Sequence, residues 1–453
     1  MELHVVILAA GKGSRMKSKR PKVLHPVAGK PMLQHVVDCA QKLEPKKIHV
    51  VIGHGADQVT ANISANNINW VKQLEQLGTG HAVDQALPDI PSSATVLVLY
   101  GDVPLIEAQT LEVLLSESSE QSMAILTVVL DDPTGYGRIV RNAADEVVAI
   151  VEQKDANESQ LAINEVNTGI LAARAEHLKQ WLPALSSDNA QGEYYLTDIV
   201  SMAVRQDIEV EAAHPINVEE VQGVNDRLQL CELECYVQSK TAEQLMLNGV
   251  SLYDPHRIDV RGDLITGSDI TIDVNSVFEG EVEIEDDVII GANCYIKNSK
   301  IGRGSVIHPN TVIEDSIVGT NSVVGPFARL RPGTVLAGDN KIGNFVETKK
   351  ATVGQGSKIN HLSYIGDAEL GANVNVGAGT ITCNYDGVNK SQTTLGDDVF
   401  VGSNTSLVAP VVVDKNATIG AGSVITGDVK NSQLAVARAK QRNIDGWSRP
   451  VKK

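Results

Sequence analysis

Six cationic side chains cluster around a glycine-rich turn near the start of the sequence. The turn reads Leu8-Ala9-Ala10-Gly11-Lys12-Gly13-Ser14-Arg15-Met16, and the cations are Lys12, Arg15, Lys17, Lys19, Arg20 and Lys22. Backbone N–H groups of such a turn can approach phosphate oxygens, and a following helix N-terminus favours anions. An isolated run of charge is more often a solvated surface, but its position here predicts triphosphate binding. The turn is neither a dinucleotide fingerprint nor a P-loop, because the third glycine and the closing Lys-Ser/Thr are absent.

Two further polar segments follow apolar runs in the first half. Asp102, in Tyr100-Gly101-Asp102, comes directly after the apolar run 95–99, and the turn 73–81 reads QLEQLGTGH. In an open α/β sheet, ligands bind at the carboxyl ends of the strands. The carboxylate suits Mg²⁺, and the polar turn suits recognition of a base.

A second candidate centre surrounds His361. A single histidine is more often structural than catalytic, but this one lies between 343–352 and 382–394, two segments that interrupt a six-residue repeat. Glu347, in the first segment, could orient an imidazole, and Arg331, Lys349 and Tyr364 could hold a sugar phosphate. Asn384 and Tyr385 lie in the second segment. An imidazole titrates near neutral pH, so His361 is predicted to act as a general base.

Residues 1–225 have the pattern of a doubly wound α/β domain. Nearly continuous apolar runs predict strands that are covered on both faces, and the segments between them have helical spacing. The strands are predicted at Val5–Ala10, Ile48–Gly53, Thr95–Tyr100 and Met123–Leu130, and helices at Pro31–Leu43 and Thr110–Glu117. Residues 226–249 then read as a helical linker.

From about residue 250 an aliphatic residue recurs at every sixth position. The three phased runs are Val318, Val324, Leu330, Leu336 and Ile342; Val353, Ile359 and Ile365; and Leu395, Val401, Leu407, Val413, Ile419 and Ile425. A period of six indicates a parallel β-helix in which three hexads complete one coil. The interruptions at 343–352 and 382–394 are expected to be loops expelled from the coils. Residues 250–453 therefore form the predicted second domain, which includes a basic C-terminal tail.

Composition limits the other possibilities. The 453 residues carry 39 Lys and Arg against 56 Asp and Glu, a formal net charge of −17, which argues against a general nucleic-acid binder. No apolar run is long enough to span a membrane, and the N-terminal segment lacks the basic region of a signal peptide, so the cytoplasm is expected. The five cysteines are scattered without a CxxC pair. They are expected to be reduced and buried rather than to form disulfides or a zinc site.

Several motifs together resemble a known enzyme family. LAAGKGSRM with Pro21-Lys22 resembles the signature of sugar-1-phosphate nucleotidyltransferases. EQLGTGHA, LYGDVPL, DDPTGYGRI, NTGI and QGEYYLTD match more narrowly. With the hexapeptide half, the whole chain resembles the bacterial bifunctional N-acetylglucosamine-1-phosphate uridyltransferases/glucosamine-1-phosphate acetyltransferases. The resemblance implies a left-handed parallel β-helix after the α/β domain.

The resemblance also implies roles for residues of the first half. The uridine and phosphate site would be lined by Leu8, Ala9, Ala10 and Gly11, and the triphosphate would be neutralised by Arg15 and Lys22. Uracil would be read by Gln73, Gly78 and Thr79, and the nucleotide would be flanked by Tyr100 and Gly101. Gly137, Glu152 and Asn167 would hold the sugar. Asp102 and Asn225 would bind Mg²⁺.

For the second half, the resemblance makes His361 the general base of acetyl transfer. Glucosamine 1-phosphate would be held by Arg331, Lys349, Tyr364, Asn375, Asn384 and Tyr385. Acetyl-CoA would contact Ala378, Ser403, Ala421 and Arg438. The family forms homotrimers, and its partners are small molecules rather than nucleic acid or membranes.

The implied activity is a two-step synthesis. Acetyl-CoA would acetylate glucosamine 1-phosphate, and UTP would then convert the product to UDP-N-acetylglucosamine and pyrophosphate. The sequence leaves two alternatives open. One is a related fusion that acts on another sugar or nucleotide, and the other is a regulatory protein with degenerate halves. The presence of Asp102 and His361 argues against a degenerate protein.

Overall fold

The computed structural model describes residues 2–452, which divide into two compact units. The first unit ends at Val237 and the second begins at Gln238. A 21-residue helix, Arg227–Leu247, contains this boundary, in the stretch where the sequence predicts a helical linker.

The first unit alternates strands and helices. Its strands are β1 (Leu3–Ala9), β2 (Pro26–Val27), β3 (Lys30–Pro31), β4 (Lys47–Ile52), β5 (Ile68–Lys72), β6 (Thr95–Tyr100), β7 (Ser122–Val129), β8 (Arg138–Arg141), β9 (Val147–Val151), β10 (Glu165–Arg174) and β11 (Glu209–Ala213). The helices are α1 (Met32–Lys42), α2 (Ala56–Asn62), α3 (Thr79–Asp84), α4 (Ala108–Ser116), α5 (Glu158–Leu161), α6 (Ala175–Trp181), α7 (Asp198–Arg205) and α8 (Arg227–Leu247). Short 3₁₀ helices cover Ser14–Met16, Lys22–Leu24, Leu87–Asp89, Leu182–Ala184, Val218–Val221 and, in the second unit, Pro255–Arg257.

Nine of these strands form one mixed sheet. The order is β11-β7-β10-β6-β1-β4-β5, and β8 and β9 extend from β10. β1 pairs in parallel with both β4 and β6, whereas β10 runs antiparallel to β6 and β7. The four predicted strands and two predicted helices are confirmed within two residues at each end.

The sheet is buried on both faces, as its apolar runs predict. Val5 and Ile7 of β1 belong to one apolar cluster, and Val6 and Leu8 belong to another. Successive side chains of a strand point to opposite faces, so the two clusters are the two sides of the sheet. The carboxyl ends of β1, β5 and β6 are thereby held rigidly at one edge.

The second unit is a parallel β-helix. Its strands are β12 (Val250–Leu252), β13 (Ile258–Thr266), β14 (Ile270–Ile272), β15 (Ser276–Ile284), β16 (Ile289–Ile290), β17 (Tyr295–Ile301), β18 (Val306–Ile307), β19 (Val312–Glu314), β20 (Ile317–Val318), β21 (Val323–Val324), β22 (Arg329–Leu330), β23 (Val335–Leu336), β24 (Lys341–Asn344), β25 (Glu347–Val353), β26 (Lys358–His361), β27 (Tyr364–Leu370), β28 (Asn375–Val376), β29 (Ile381–Cys383), β30 (Thr393–Leu395), β31 (Phe400–Val401), β32 (Ser406–Val408), β33 (Val411–Val413), β34 (Thr418–Ile419), β35 (Val424–Ile425) and β36 (Leu434–Ala435).

The predicted hexad positions form the core of this unit. Every aliphatic residue of the three phased runs is buried and belongs to one continuous cluster. Equivalent positions pair in parallel from coil to coil, as Ile342 with Ile359, Val376 with Val401, and Val401 with Ile419. The six-residue period is confirmed as stacked coils of parallel strands.

The two interruptions of the repeat have different structures. Residues 384–392 leave the coil between β29 and β30, as expected. The first interruption was predicted to be an expelled loop, and this is wrong, because β25 runs through Glu347–Val353. Thr348 is fully buried at the inward position, and one residue fewer than a hexad separates it from Val353. Lys350, between Thr348 and Val353, has a left-handed backbone with φ +46°, which accommodates the five-residue spacing.

The cysteines only partly follow the prediction. All five are free thiols, and Cys39 and Cys294 are buried. Cys231 and Cys235, however, are exposed on α8. None of the helices in residues 2–452 has the length and apolar character needed to cross a bilayer.

Candidate active sites

The sheet edge of the first unit brings the predicted nucleotide residues together. Leu8 pairs with Tyr100 across β1 and β6, and the N–H of Gly101 donates to the carbonyl oxygen of Leu8 at 3.0 Å. Gln73 is joined to the end of β4 by a 2.9 Å hydrogen bond from its N–H to the carbonyl oxygen of Ile52. The glycine-rich turn, the polar turn and the segment around Asp102 therefore share one edge.

A cavity of about 480 Å³ lies at this edge. Its lining includes ten of the predicted residues, namely Leu8, Ala9, Ala10, Gly11, Lys22, Gln73, Gly78, Thr79, Tyr100 and Asp102. Lys12, Gln76 and Glu193 also line it and were not assigned to the site from the sequence. Lys12 belongs to the cationic cluster, and Glu193 lies within the QGEYYLTD motif, so the sequence did contain a signal for both.

The predicted metal ligands are held by cationic side chains. The ammonium of Lys22 forms an ion pair with the carboxylate of Asp102, and the two side chains are only 14% and 17% exposed. Lys22 Nζ also lies 3.4 Å from Asn225 Oδ1, to which Arg15 donates a 2.8 Å hydrogen bond. The oxygens of Asp102 and Asn225 therefore converge on one cation position.

The polar turn has a conformation that requires glycine at residue 78. Gly78 has φ +119°, and a Cβ there would lie 2.6 Å from the carbonyl oxygen of Tyr194 and 2.7 Å from its nitrogen. Gln73 is buried, and its amide nitrogen donates to the carbonyl oxygen of Gly78 at 3.3 Å. The Thr79 hydroxyl oxygen accepts a 3.1 Å hydrogen bond from the N–H of Leu196. The turn is therefore fixed by the segment that carries QGEYYLTD.

The predicted sugar residues form a second group beside the cavity. The N–H of Asn167 donates to the carbonyl oxygen of Gly137 at 2.9 Å, and the Thr197 hydroxyl donates to Glu152 Oε1 at 3.1 Å. Burial raises the pKa of Glu152 above its ordinary value and Asp198 adds to the shift, while the Thr197 hydrogen bond opposes them. Burial, with Glu152 and Asp102 nearby, also raises the pKa of Tyr100. Thr197 was not assigned a role from the sequence, although it lies in a quoted motif.

In the second unit, His361 belongs to a column of residues at one corner of the β-helix. The column members occupy equivalent positions on successive coils and are Asn344, His361, Ala378, Ser403 and Ala421. In each of four steps the N–H that follows a column residue donates to the carbonyl oxygen of the previous one: Leu362 to Asn344 (3.1 Å), Gly379 to His361 (3.3 Å), Asn404 to Ala378 (2.8 Å) and Gly422 to Ser403 (2.8 Å). Arg438 donates to the carbonyl oxygen of Ala421. The predicted base and all four predicted acetyl-CoA residues are thus contiguous.

In this chain His361 contacts a residue other than the predicted partner. His361 Nδ1 lies 2.9 Å from Asn344 Oδ1, whereas the predicted orienting residue, Glu347, forms a 2.7 Å ion pair with Arg331. The reason is register, since Asn344 pairs directly with His361, and Glu347 pairs with Tyr364. Sequence reasoning missed Asn344, which lies in the first interruption of the six-residue repeat.

The predicted acceptor residues are only partly grouped within one chain. Arg331, Lys349 and Tyr364 lie on or beside paired strands of the 14-stranded sheet, and the N–H of Arg331 donates to the carbonyl oxygen of Thr348 at 2.9 Å. Asn384 donates to Asp367, which is on the same sheet, and the Tyr385 hydroxyl donates to the carbonyl oxygen of Gly387 at 2.6 Å. Asn375 lies in β28 of the other sheet.

Comparison with known families identifies three matching segments. A profile described as MobA-like NTP transferase domain matches residues 5–182. One described as GMPPB C-terminal domain matches residues 260–353, and one described as bacterial transferase hexapeptide (six repeats) matches residues 392–427.

Relatives of the whole chain are also found. "Bifunctional protein GlmU" of Marinobacter nauticus is 66% identical over 450 residues, which cover 99% of each chain. Proteins of the same name from Pseudomonas entomophila and Idiomarina loihiensis are 59% and 58% identical, and each alignment covers 100% of this chain and 99% of the relative. The similarity spans both units.

Proposed function

The chain belongs to the family of bifunctional GlmU proteins, and from this premise we propose which of its two units carries each activity. The protein is a bifunctional enzyme, a UDP-N-acetylglucosamine pyrophosphorylase and glucosamine-1-phosphate N-acetyltransferase. It acetylates glucosamine 1-phosphate with acetyl-CoA, then transfers UMP from UTP to the product and releases pyrophosphate. Full-length identity of 57–66% to proteins of this name is the observation that carries the assignment.

We place uridyl transfer in the cavity of the first unit. Gln73, Gly78 and Thr79 would bind uracil, and the turn at Leu8–Gly11 would face the phosphates. Gly137, Glu152 and Asn167 would hold the sugar so that its phosphate can attack the α-phosphorus of UTP. Such phosphoryl chemistry depends on positioning and charge neutralisation more than on a protein nucleophile. Arg15 and Lys22 would supply protein cations; Lys22 lines the cavity, and Arg15 donates to Asn225, which lies 3.4 Å from the Lys22 ammonium, and these positions support the role.

We propose that Asp102 and Asn225 hold the Mg²⁺ that the reaction requires. Their oxygens already share one cation, the Lys22 ammonium, which supports a metal position between them. Within residues 2–452 no group of three or more His, Cys, Asp and Glu side chains could hold a metal, so nucleotide and water oxygens would complete the shell. When bound, the ion would neutralise charge that develops on the reacting phosphates.

We place acetyl transfer at the corner column of the second unit. His361 would accept the proton of the attacking amine, with acetyl-CoA along Ala378, Ser403 and Ala421 and with Arg438 at its far end. Arg331, Lys349 and Tyr364 would bind glucosamine 1-phosphate. The contiguity of the column in one chain supports the acetyl-CoA assignment.

We also propose a homotrimer in the cytoplasm. Asn375, Asn384 and Tyr385 are not gathered around Arg331 within one chain, and a site completed by a second copy would account for that. UTP and acetyl-CoA are both cytoplasmic metabolites. Sedimentation of the purified protein and fractionation of cells test these two statements.

The remaining alternative is a related fusion with another sugar or nucleotide. The test is a substrate panel that pairs UTP or dTTP with N-acetylglucosamine 1-phosphate or glucose 1-phosphate, followed by pyrophosphate release. UTP with N-acetylglucosamine 1-phosphate should react fastest. A preference for dTTP or for glucose 1-phosphate would overturn the assignment of the cavity.

A further inference from the structure

We propose that Asn344 is the positioning residue of the acetyl-transfer base. Its side-chain amide would fix the imidazole of His361 with Nδ1 engaged and Nε2 available to the substrate amine. The inference rests on the proposed function, in which His361 is the base, and it adds the group that selects the reactive nitrogen.

The geometry of the pair follows from the coil register. Asn344 and His361 end the adjacent parallel strands β24 and β26 and are direct register partners. The N–H of Leu362 donates to the carbonyl oxygen of Asn344 at 3.1 Å, which ties the two backbones together beyond the strand ends. Asn344 is half-buried and His361 is exposed. A half-buried amide therefore contacts a ring that substrate can reach.

The chemistry of the contact defines the tautomer. Asn344 Oδ1 lies 2.9 Å from His361 Nδ1, and an amide oxygen can only accept a hydrogen bond. Nδ1 must then carry the proton, which leaves the lone pair of the neutral ring on Nε2. The hydrogen bond made by one ring nitrogen in this way sets which nitrogen is free to act. On this geometry, Nε2 is the atom that takes the proton from the amine.

Asn344, the partner of His361, is uncharged, whereas the predicted partner Glu347 is a carboxylate. A carboxylate at Nδ1 would stabilise the charged imidazolium, whereas an amide holds the ring with far less preference for the charged form. Glu347, the carboxylate that the sequence predicts as the partner of His361, forms an ion pair with Arg331 at 2.7 Å instead. An amide at this position therefore favours the neutral, proton-accepting form of the ring more than a carboxylate would.

Replacing Asn344 by Asp and by Ala tests the proposal through the pH profile of acetyl transfer. In Asn344→Asp, the acid limb of kcat/KM should move up by about one pH unit, with activity above the limb close to that of the unaltered enzyme. In Asn344→Ala, kcat should fall by roughly tenfold while the two KM values change less than about twofold, because orientation and not binding is lost. Asn310→Asp, at another half-buried corner of the β-helix, is the matched control and should leave the profile unchanged.

The charged groups on the strands around His361 are common to all variants. They are Lys341 and Lys358 on β24 and β26, and the Arg331–Glu347 pair with Lys349 beside them. A shift of the acid limb of kcat/KM would therefore be due to the substituted side chain. An unmoved limb in Asn344→Asp, or full kcat in Asn344→Ala, overturns the proposal. If instead His361→Ala retains acetyl transfer, the proposed function of His361 fails, and the two failures are distinguishable. Should Asn344→Ala not fold, the Asp variant alone decides.

Discussion

The ammonium of Lys22 forms an ion pair with the carboxylate of Asp102, 80 residues further along the chain. Arg15 donates a 2.8 Å hydrogen bond to Oδ1 of Asn225, the other residue predicted to bind the metal. The two residues that would bind the metal are therefore both engaged by residues that would bind the triphosphate. A metal ion that binds Asp102 would have to displace the Lys22 ammonium. A metal–nucleotide complex would bring phosphates to which that ammonium could bind instead.

Replacing Lys22 by Ala should therefore strengthen metal binding in the absence of nucleotide. The Asp102 carboxylate would be left without its ion-pair partner, so an entering divalent ion would no longer have to break that pair. Binding of Mn²⁺ to the protein alone, followed by electron paramagnetic resonance, should tighten by roughly tenfold. Lys19→Ala, on the exposed part of the same cationic cluster, should bind Mn²⁺ like the unaltered protein. Equal affinity in all three would show that Lys22 does not compete with the metal.

Replacing Asp102 by Ala should abolish uridyl transfer and spare acetylation. The variant would lose the one charged ligand proposed for the metal, and metal charge stabilisation contributes several kcal/mol to such reactions. Pyrophosphate release should fall by roughly a hundredfold or more, while acetyl-CoA consumption with glucosamine 1-phosphate stays unchanged. Asp188→Ala, in an exposed loop of the same unit, is the control. Undiminished pyrophosphate release in Mg²⁺ buffer would exclude Asp102 as a ligand.

Replacing Gly78 by Ala should damage the nucleotide site without affecting the β-helix. A Cβ would lie 2.6 Å and 2.7 Å from backbone atoms of Tyr194, and the φ of +119° is open to glycine alone. The turn must shift, so kcat/KM for UTP should drop by about tenfold or more when groups move by about 1 Å. Gly192 also has a positive φ, +68°, but nothing lies within 4 Å of a carbon added there. The control variant Gly192→Ala should therefore stay active. Equal losses in the two variants would attribute the effect to backbone conformation and not to the contact with Tyr194.

The sequence predicts those features that depend on a local rule. The period of six fixes which side chains are inward, and each of the phased residues from Val318 to Ile425 is buried. The same rule failed where one position was lost. Between Thr348 and Val353 the coil shortens by one residue while the strand continues, so an interruption of the pattern does not by itself indicate a loop.

Contacts between distant residues could not be predicted in this way. The pairing of β24 with β26 determines whether Asn344 or Glu347 contacts His361. These two residues are only three positions apart in the sequence, but one carries an amide and the other a carboxylate. The Lys22–Asp102 pair likewise requires the turn after β1 and the segment after β6 to share one sheet edge. Motifs indicated that both residues belong to the site, but they carried no information about this contact.

A buried histidine pair predicts how the stability of the first unit depends on pH. His49 is fully buried, and its Nε2 lies 2.9 Å from Nδ1 of the stacked His4. Burial, and then the charge of His4, lowers the pKa of His49 from 6.5 to about 4. Between these values the unfolded chain binds more protons, so the stabilising contribution is complete above pH 6.5 and is lost as the pH falls toward 4.

At pH 5.5 the loss from His49 should be about 1 kcal/mol relative to pH 7.5. Urea midpoints at the two pH values, followed by fluorescence of Trp70 and Trp181 in the first unit, measure the difference. His49→Leu removes the titrating group and should show a smaller change in midpoint between the two pH values. A pH dependence that is the same with and without His49 would show that other groups are responsible.

Replacing His361 by Ala should remove acetyl transfer and leave uridyl transfer intact. The acceptor amine must lose a proton during or after its attack on the thioester, and a base that titrates near neutral pH is best matched to that step. His361 is exposed, lies in the corner column beside Ala378, and has its Nδ1 engaged by Asn344. General-base catalysis typically contributes about 10²–10⁴-fold, so the acetyl-transfer kcat should fall by roughly that factor. His308→Ala, which alters another histidine of the β-helix outside the column, should retain acetyl transfer. Uridyl transfer and the molecular mass in solution should match those of the unaltered enzyme, because neither depends on the imidazole. Near-normal acetylation by His361→Ala at pH 7 would make His361 a structural residue and would leave the column without a base.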